Sequence, residues 1–289
     1  MNTSWIDVRE YPFQPHYLQL GAGRMHYVDE GQGEPVLMVH GTPTWSFLYR
    51  HLINGLIPDY RVIAPDHIGF GLSDKPKAWS YLPREHARNL AALIEALSLK
   101  DITLVVHDFG GPIGLSYAIE HPENIRRIVI MNTFCWSLRG DPAFERPNQI
   151  FNNAFGRFAY TRLNFSPVFM IRAAWGDKRK LTRDIHRHYT QALPTPSDRQ
   201  GTWVFLQELI GSSDWYESIW NHRENIRNKP ALIVWGMKDI AFKEKELKRW
   251  EELFPQAQVI RFSEAGHFLQ EEEGPQIASL IRSFIKDNR

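Results

Sequence analysis

Ile102 to Val106 is a short, apolar, β-rich run, and a second apolar stretch, Ile113 to Ile119, begins only after His107-Asp108-Phe109-Gly110-Gly111-Pro112. A run of the first kind forms a parallel strand buried on both faces, and Gly-Gly-Pro opens a helix, so the chain must turn sharply between them. Helix and strand can pack closely behind such a turn only if the adjoining residues are small, and Gly110 and Gly111 meet that demand. Asp108 stands at the corner. Taken alone, an aspartate there reads equally well as a helix N-cap.

The rest of the chain repeats the strand-and-helix alternation. Val36 to Val39, Arg61 to Ala64, Ile128 to Met131, Ala231 to Trp235 and Val259 to Phe262 read as strands. Helices are expected near Ser46 to Leu56, from Arg84 to Leu97 and from Lys243 to Leu253. This order predicts an α/β fold with a mostly parallel, doubly wound sheet. Ahead of it, His16 to Leu20 and Met25 to Val28 flank Gly21-Ala22-Gly23 and read as a hairpin. From about Trp136 to Arg227 the alternation stops, and helical segments are broken by Pro142, Pro147, Pro167, Pro194 and Pro196. The expected organisation is a core formed by residues 1–135 and 228–289, with a helical cap inserted at 136–227.

Two further polar clusters fall at strand ends. Trp235 leads into Gly236-Met237-Lys238-Asp239, and Phe262 is followed by Ala265-Gly266-His267-Phe268. Nucleophile, acid and histidine thus run in the chain order of the α/β hydrolases, each at the carboxyl end of a strand. The acid could have stood after the preceding strand, but Asn132 occupies that place and carries no charge. Asp239 is therefore expected to orient His267, and Asp108 to be the nucleophile.

With these residues in place, the chain resembles the haloalkane dehalogenases and their relatives among the α/β hydrolases. The matching blocks are His40 to Ser46, Ala64-Pro65-Asp66 through Gly69 to Pro76, His107 to Gly111, Trp235 to Asp239 and Ala265 to Gln270. The resemblance implies an α/β-hydrolase fold with an inserted helical cap and a two-step reaction. Asp108 would displace a leaving group to form an alkyl ester, and a water activated by His267 would hydrolyse it. The backbone N–H groups of Thr42 and Phe109 would receive the oxyanion of the second step. At the same two positions the side chains depart from the family, which supplies halide donors from tryptophan or asparagine. Phenylalanine has no N–H, threonine offers one hydroxyl, and loss of a preorganised donor costs roughly 3 to 4 kcal/mol in the transition state. Trp175 is a candidate replacement donor. Tyr160, Tyr189 and Tyr216 are candidates for protonating an epoxide oxygen. Haloalkane hydrolysis is thus expected first, with an epoxide or a strained β-lactone as alternatives. A non-hydrolytic small-molecule binding protein is the alternative of a different class.

Composition narrows the partners. Lys+Arg total 34 against Asp+Glu 33, a balance that suggests neither nucleic acid nor a membrane as partner, and the expected ligand is a small, largely apolar substrate. No cofactor or metal is expected; His186-Arg187-His188 places its imidazoles on different helix faces. Cys135 is the single cysteine and has no intramolecular partner, which fits a reducing, cytoplasmic setting. The amino-terminal segment is interrupted by Asp7, Arg9 and Glu10 and reads as neither signal peptide nor membrane span. Oligomeric state is left open.

Overall fold

The computed structural model describes residues 4–289, so the first three residues of the expected core lie outside the described residues. Eight strands make one sheet: β1 (His16–Leu20), β2 (Gly23–Glu30), β3 (Pro35–Val39), β4 (Arg61–Pro65), β5 (Ile102–Asp108), β6 (Ile125–Thr133), β7 (Ala231–Gly236) and β8 (Gln258–Phe262). Their spatial order is β1-β2-β4-β3-β5-β6-β7-β8. The first two strands are antiparallel additions at one edge, and every pairing from β4 through β8 is parallel. The hairpin turn and the parallel strands fall where their residue patterns put them, with ends shifted by a few residues.

Strand pleating sorts the apolar side chains into two cores. Leu37, Val39, Leu104, Val106, Ile128 and Ile130 point into one cluster. Their neighbours Val36, Met38, Val105, Val129 and Met131 point into the other. A strand buried on both faces needs no polar alternation, which is why β5 reads as an unbroken apolar run. Each fully buried side chain of this size contributes about 1.5 to 3 kcal/mol of transfer free energy.

The helices α1 (Arg50–Leu56), α2 (Pro83–Ala96) and α3 (Gly110–Glu120) lie between strands of the first half. A 3-10 turn over Ser46–Tyr49 precedes α1, so the stretch expected as one helix is divided. Between β6 and β7 come α4 (Pro142–Phe151), α5 (Ala154–Arg162), α6 (Ile171–Ala174), α7 (Arg183–Gln191), α8 (Gln200–Gly211) and α9 (Ser213–Trp220), with no strand among them. After β7 follow α10 (Glu244–Leu253), α11 (Leu269–Glu272) and α12 (Gly274–Asp287). Packing of α2 on α3 closes one face of the sheet, and α1 against α12 closes the other. Among the described residues no helix is long and apolar enough to cross a membrane.

Candidate active site

Asp108 ends β5, where the register with β6 shifts between His107 and Asp108. Its φ of +52° lies in the left-handed region, a conformation that costs an ordinary residue about 1 to 2 kcal/mol. The surroundings leave little alternative. A Cβ on Gly110 would collide with the Val39 carbonyl, and one on Gly111 would meet Thr133 Oγ1 and the Phe134 carbonyl. From the next strand, the Thr133 hydroxyl donates to the Asp108 carbonyl and fixes the bend from below. The side chain is thereby thrust off the sheet's carboxyl edge.

Three loops converge on it. The Thr42 N–H donates to Asp108 Oδ1 at 2.7 Å. Gly41 permits this approach, since a Cβ there would strike the Asp108 carboxylate. From the loop after β8, His267 Nε2 stands 3.5 Å from Asp108 Oδ2. On the far side of the ring, His267 Nδ1 is 2.8 Å from Asp239 Oδ2. Asp108, Asp239 and His267 are all buried, and the structure brings the three together. This arrangement fixes the imidazole with Nδ1 toward Asp239 and leaves Nε2 to face Asp108.

The electrostatics follow from that geometry. Burial opposes charge on His267, but Asp239 and Asp108 on either side outweigh it and raise the imidazole pKa to about 10. Burial likewise disfavours the Asp108 anion, yet His267 and the Phe109 N–H more than compensate and hold its carboxyl below the usual range. The two acidic neighbours thus favour the protonated form of the imidazole. His107, beneath the ring, has a pKa pushed down to about 3 by burial and by the charge of His267. Its Nε2 is 2.8 Å from the His267 carbonyl oxygen.

Several groups that orient this chain carry no obvious sequence mark. Asn132 Nδ2 donates to Asp239 Oδ2 at 2.8 Å and to the Gly236 carbonyl at 3.1 Å, while its Oδ1 accepts the Gly236 N–H at 2.7 Å. The amide that appeared only to vacate the alternative acid position instead holds Asp239. Ala241 N–H donates to the other Asp239 oxygen at 2.7 Å. Buried Glu272 accepts N–H bonds from Gly266, Gly176 and Asp177 at 2.8, 3.0 and 2.6 Å, tying the His267 loop to the segment after α6. An amide at a strand end facing an acid loop was the available signal for Asn132; a lone glutamate offered none for Glu272.

Above Asp108 lies a cavity of about 280 Å³. Thr42, Asp108, Phe109 and His267 form its floor, and Phe144, Phe151, Tyr160, Met170, Phe205 and Phe242 stand in its apolar wall. Phe109 packs at 4.5 Å from Phe205 and 5.5 Å from Phe134, ring centre to ring centre. Thr42 Oγ1 is buried without a hydrogen-bond partner. Tyr160 also lines the space, and burial raises its hydroxyl pKa to about 12, so the group stays protonated. The other proposed contacts need correcting. Trp175 is buried against Phe268, outside the cavity lining. Tyr189 directs its hydroxyl to Glu271, which also grips the Arg50 guanidinium. Tyr216 donates to the Glu208 carbonyl at 2.8 Å and packs on Phe134. Each of these hydroxyls is committed to a packing network. His186 and His188 likewise diverge, toward the Pro167 carbonyl and the Asp7 N–H.

Comparison with known proteins agrees with this architecture. Residues 34–274 match the family described as alpha/beta hydrolase fold. A cis-3-alkyl-4-alkyloxetan-2-one decarboxylase from Shewanella oneidensis is 35% identical over 285 residues, covering 96% of this chain and 89% of the relative. Haloalkane dehalogenase 2 from Mycobacterium tuberculosis is 33% identical over 279 residues, covering 95% and 96% of the two chains. The chain belongs to the α/β hydrolases, as a haloalkane dehalogenase-like member. Among solved structures, the haloalkane dehalogenase DatA from Agrobacterium tumefaciens superposes with a TM-score of 0.84 at 23% identity, over 96% of this chain and 97% of that one, a likeness of fold. This α/β hydrolase is accordingly an enzyme whose substrate is to be sought in the cavity.

Proposed function

We propose that the chain is a hydrolase of the haloalkane dehalogenase type, working through an ester on Asp108 beneath a cap formed by the helices at 136–227. The observation that carries this reading is the Asp239–His267–Asp108 chain opening onto an apolar cavity. Asp108 is already an anion and needs no base. Its Oδ2 bonds to the substrate carbon as the carbon–halogen bond breaks, and the halide leaves with the electron pair. Oδ1 then becomes the ester carbonyl oxygen while the Thr42 N–H still holds it. Esterification removes the negative charge beside His267, so the imidazole pKa falls and its proton is released. The neutral ring takes a proton from water, hydroxide adds to Cγ, and the oxyanion grows on Oδ1 toward the Thr42 and Phe109 N–H groups. Collapse expels the alcohol, which takes its proton from His267. Asp108, left as a carboxylic acid, passes its proton to the now neutral His267, and the starting pair is regenerated.

One specific observation favours a second reading, the opening of a β-lactone. Neither Thr42 nor Phe109 offers a side-chain N–H to a departing halide, and the only hydroxyl at the floor is Thr42 Oγ1. A lactone needs less help. Attack at its ring carbon relieves strain and leaves a carboxylate that stays tethered to the substrate. The oxetanone-acting relative makes this the alternative to test.

A turnover panel of a bromoalkane, a terminal epoxide and a β-lactone, with halide release read directly, separates the two. His267→Gln is expected to accept the alkyl group and stop, leaving Asp108 modified in intact-mass spectra. Unmodified protein after exposure to a substrate that the wild type consumes would refute the ester.

A further inference from the structure

We propose that the outer face of α4, α5 and the turn into α6 docks on an anionic phospholipid surface. Among the described residues eight large apolar side chains are exposed, and five of them, Ile150, Phe155, Phe158, Leu163 and Phe169, fall in this one stretch. Scattered exposed apolar residues are ordinary, whereas their concentration marks an interaction surface. Phe155 is 67% exposed and Ile150 62%, so neither ring nor branch is half-hidden in a crevice. Along α5, Phe155, Phe158 and Arg162 follow the spacing of one helix face. Half-buried Phe165 stacks on exposed Phe169, ring centres 5.4 Å apart.

Charge selects the occupant. Arg146, Arg157 and Arg162 are exposed on the same elements, and none makes an ion pair or a side-chain hydrogen bond among the described residues. Between Pro142 and Arg172 the single acidic residue is Glu145, which accepts the Gly140 N–H. The near-zero net charge of the whole chain, +1, conceals this local excess. Unpaired arginines interleaved with large apolar side chains suit the boundary of an anionic bilayer, where acyl chains take the rings and headgroups take the guanidinium ions. A second copy related by a twofold axis would set arginines against arginines, which is unfavourable.

The same helices turn Phe151, Tyr160 and Met170 inward to the cavity, and exposed Ile240 lines it from the loop after β7. Docking therefore brings the helices that wall the cavity to lipid, where an apolar substrate is concentrated. That consequence rests on the proposed function. Vesicle binding needs no substrate, so the two can fail separately.

The test is co-sedimentation of the full chain with vesicles of phosphatidylcholine alone and of phosphatidylcholine with phosphatidylglycerol, at low and high salt. Binding is expected to the mixed vesicles, to weaken with salt, and to be at least about tenfold poorer on the neutral ones. Arg157→Gln/Arg162→Gln should weaken it by about tenfold or more. Phe155→Ser/Phe158→Ser should abolish it with an unchanged circular dichroism spectrum. Failure of the wild type to pellet, equal binding to both vesicle types, or unchanged binding by either variant overturns the proposal. So does a wild-type dimer in light scattering that the phenylalanine variant dissolves while vesicles are ignored, since a second copy would then be the occupant.

Discussion

Asp108→Asn isolates the electrostatic coupling on which the two-step scheme depends, because an amide has the shape of the ester state's carboxyl group and, like it, carries no charge. His267 Nε2 lies 3.5 Å from Asp108 Oδ2. Opposite unit charges at that separation attract by about 5 kcal/mol at an effective dielectric constant of about 20. At about 1.4 kcal/mol per pH unit, this corresponds to roughly three units of imidazole titration. Removing the anion destabilises the charged ring, so the midpoint must fall, from about 10 in the wild type to roughly 7 in the variant. Asp239 remains in contact with Nδ1 and keeps the value from dropping further. In the proposed scheme His267 is then blocked as a base while Asp108 is free and becomes available near neutral pH once Asp108 is esterified. Proton–carbon NMR of protein labelled at histidine Cε1 would follow the titration, and comparison with His267→Gln identifies the signal among the twelve histidines. A midpoint that stays near 10 in Asp108→Asn, or one already near the ordinary histidine value in the wild type, would refute the reasoning.

Asn132→Ala leaves one Asp239 oxygen and the Gly236 N–H without their amide partner, a loss of about 1 to 3 kcal/mol. Steady-state kinetics should show kcat down by about tenfold or more with KM little changed, because Asn132 positions the acid and does not line the cavity. In Phe109→Trp an indole N–H enters the cavity floor, and if donor supply limits halide departure, bromide release should rise by up to about a hundredfold. The wider ring must displace Phe205 and Phe134, so the melting temperature is expected to fall. Gly111→Ala drives a methyl into Thr133 Oγ1 and the Phe134 carbonyl, and denaturant titration should reveal a loss of several kcal/mol or no folded protein.

What the sequence made legible was local. β5 announces itself because burial on both faces removes every polar interruption, and the corner at Asp108 follows from the glycines that must succeed it. Asp239 and His267 were singled out by chain order at strand ends, a rule of topology, and the structure sets them beside each other and Asp108. Contacts between distant elements left weaker traces. Tyr189 finds Glu271 across 82 positions, and that partnership turns its hydroxyl away from the cavity, although helix α7 looks equally able to present it inward. Tyr160, without such a partner, is the aromatic hydroxyl that remains at the wall. The rotation of a helix between β6 and β7 about its own axis depends on which polar tips are satisfied elsewhere, and a pattern of aromatics on both sides of the helix does not encode it. Leaving-group chemistry inherits the same dependence. The Thr42 and Tyr160 hydroxyls are among the donors that folding leaves unspent at the cavity, and both are neutral oxygens better matched to a departing oxygen anion than to a large halide. Turnover compared between a bromoalkane and a β-lactone therefore probes how hydrogen bonds are allocated across the helices between β6 and β7 as much as the chemistry of Asp108.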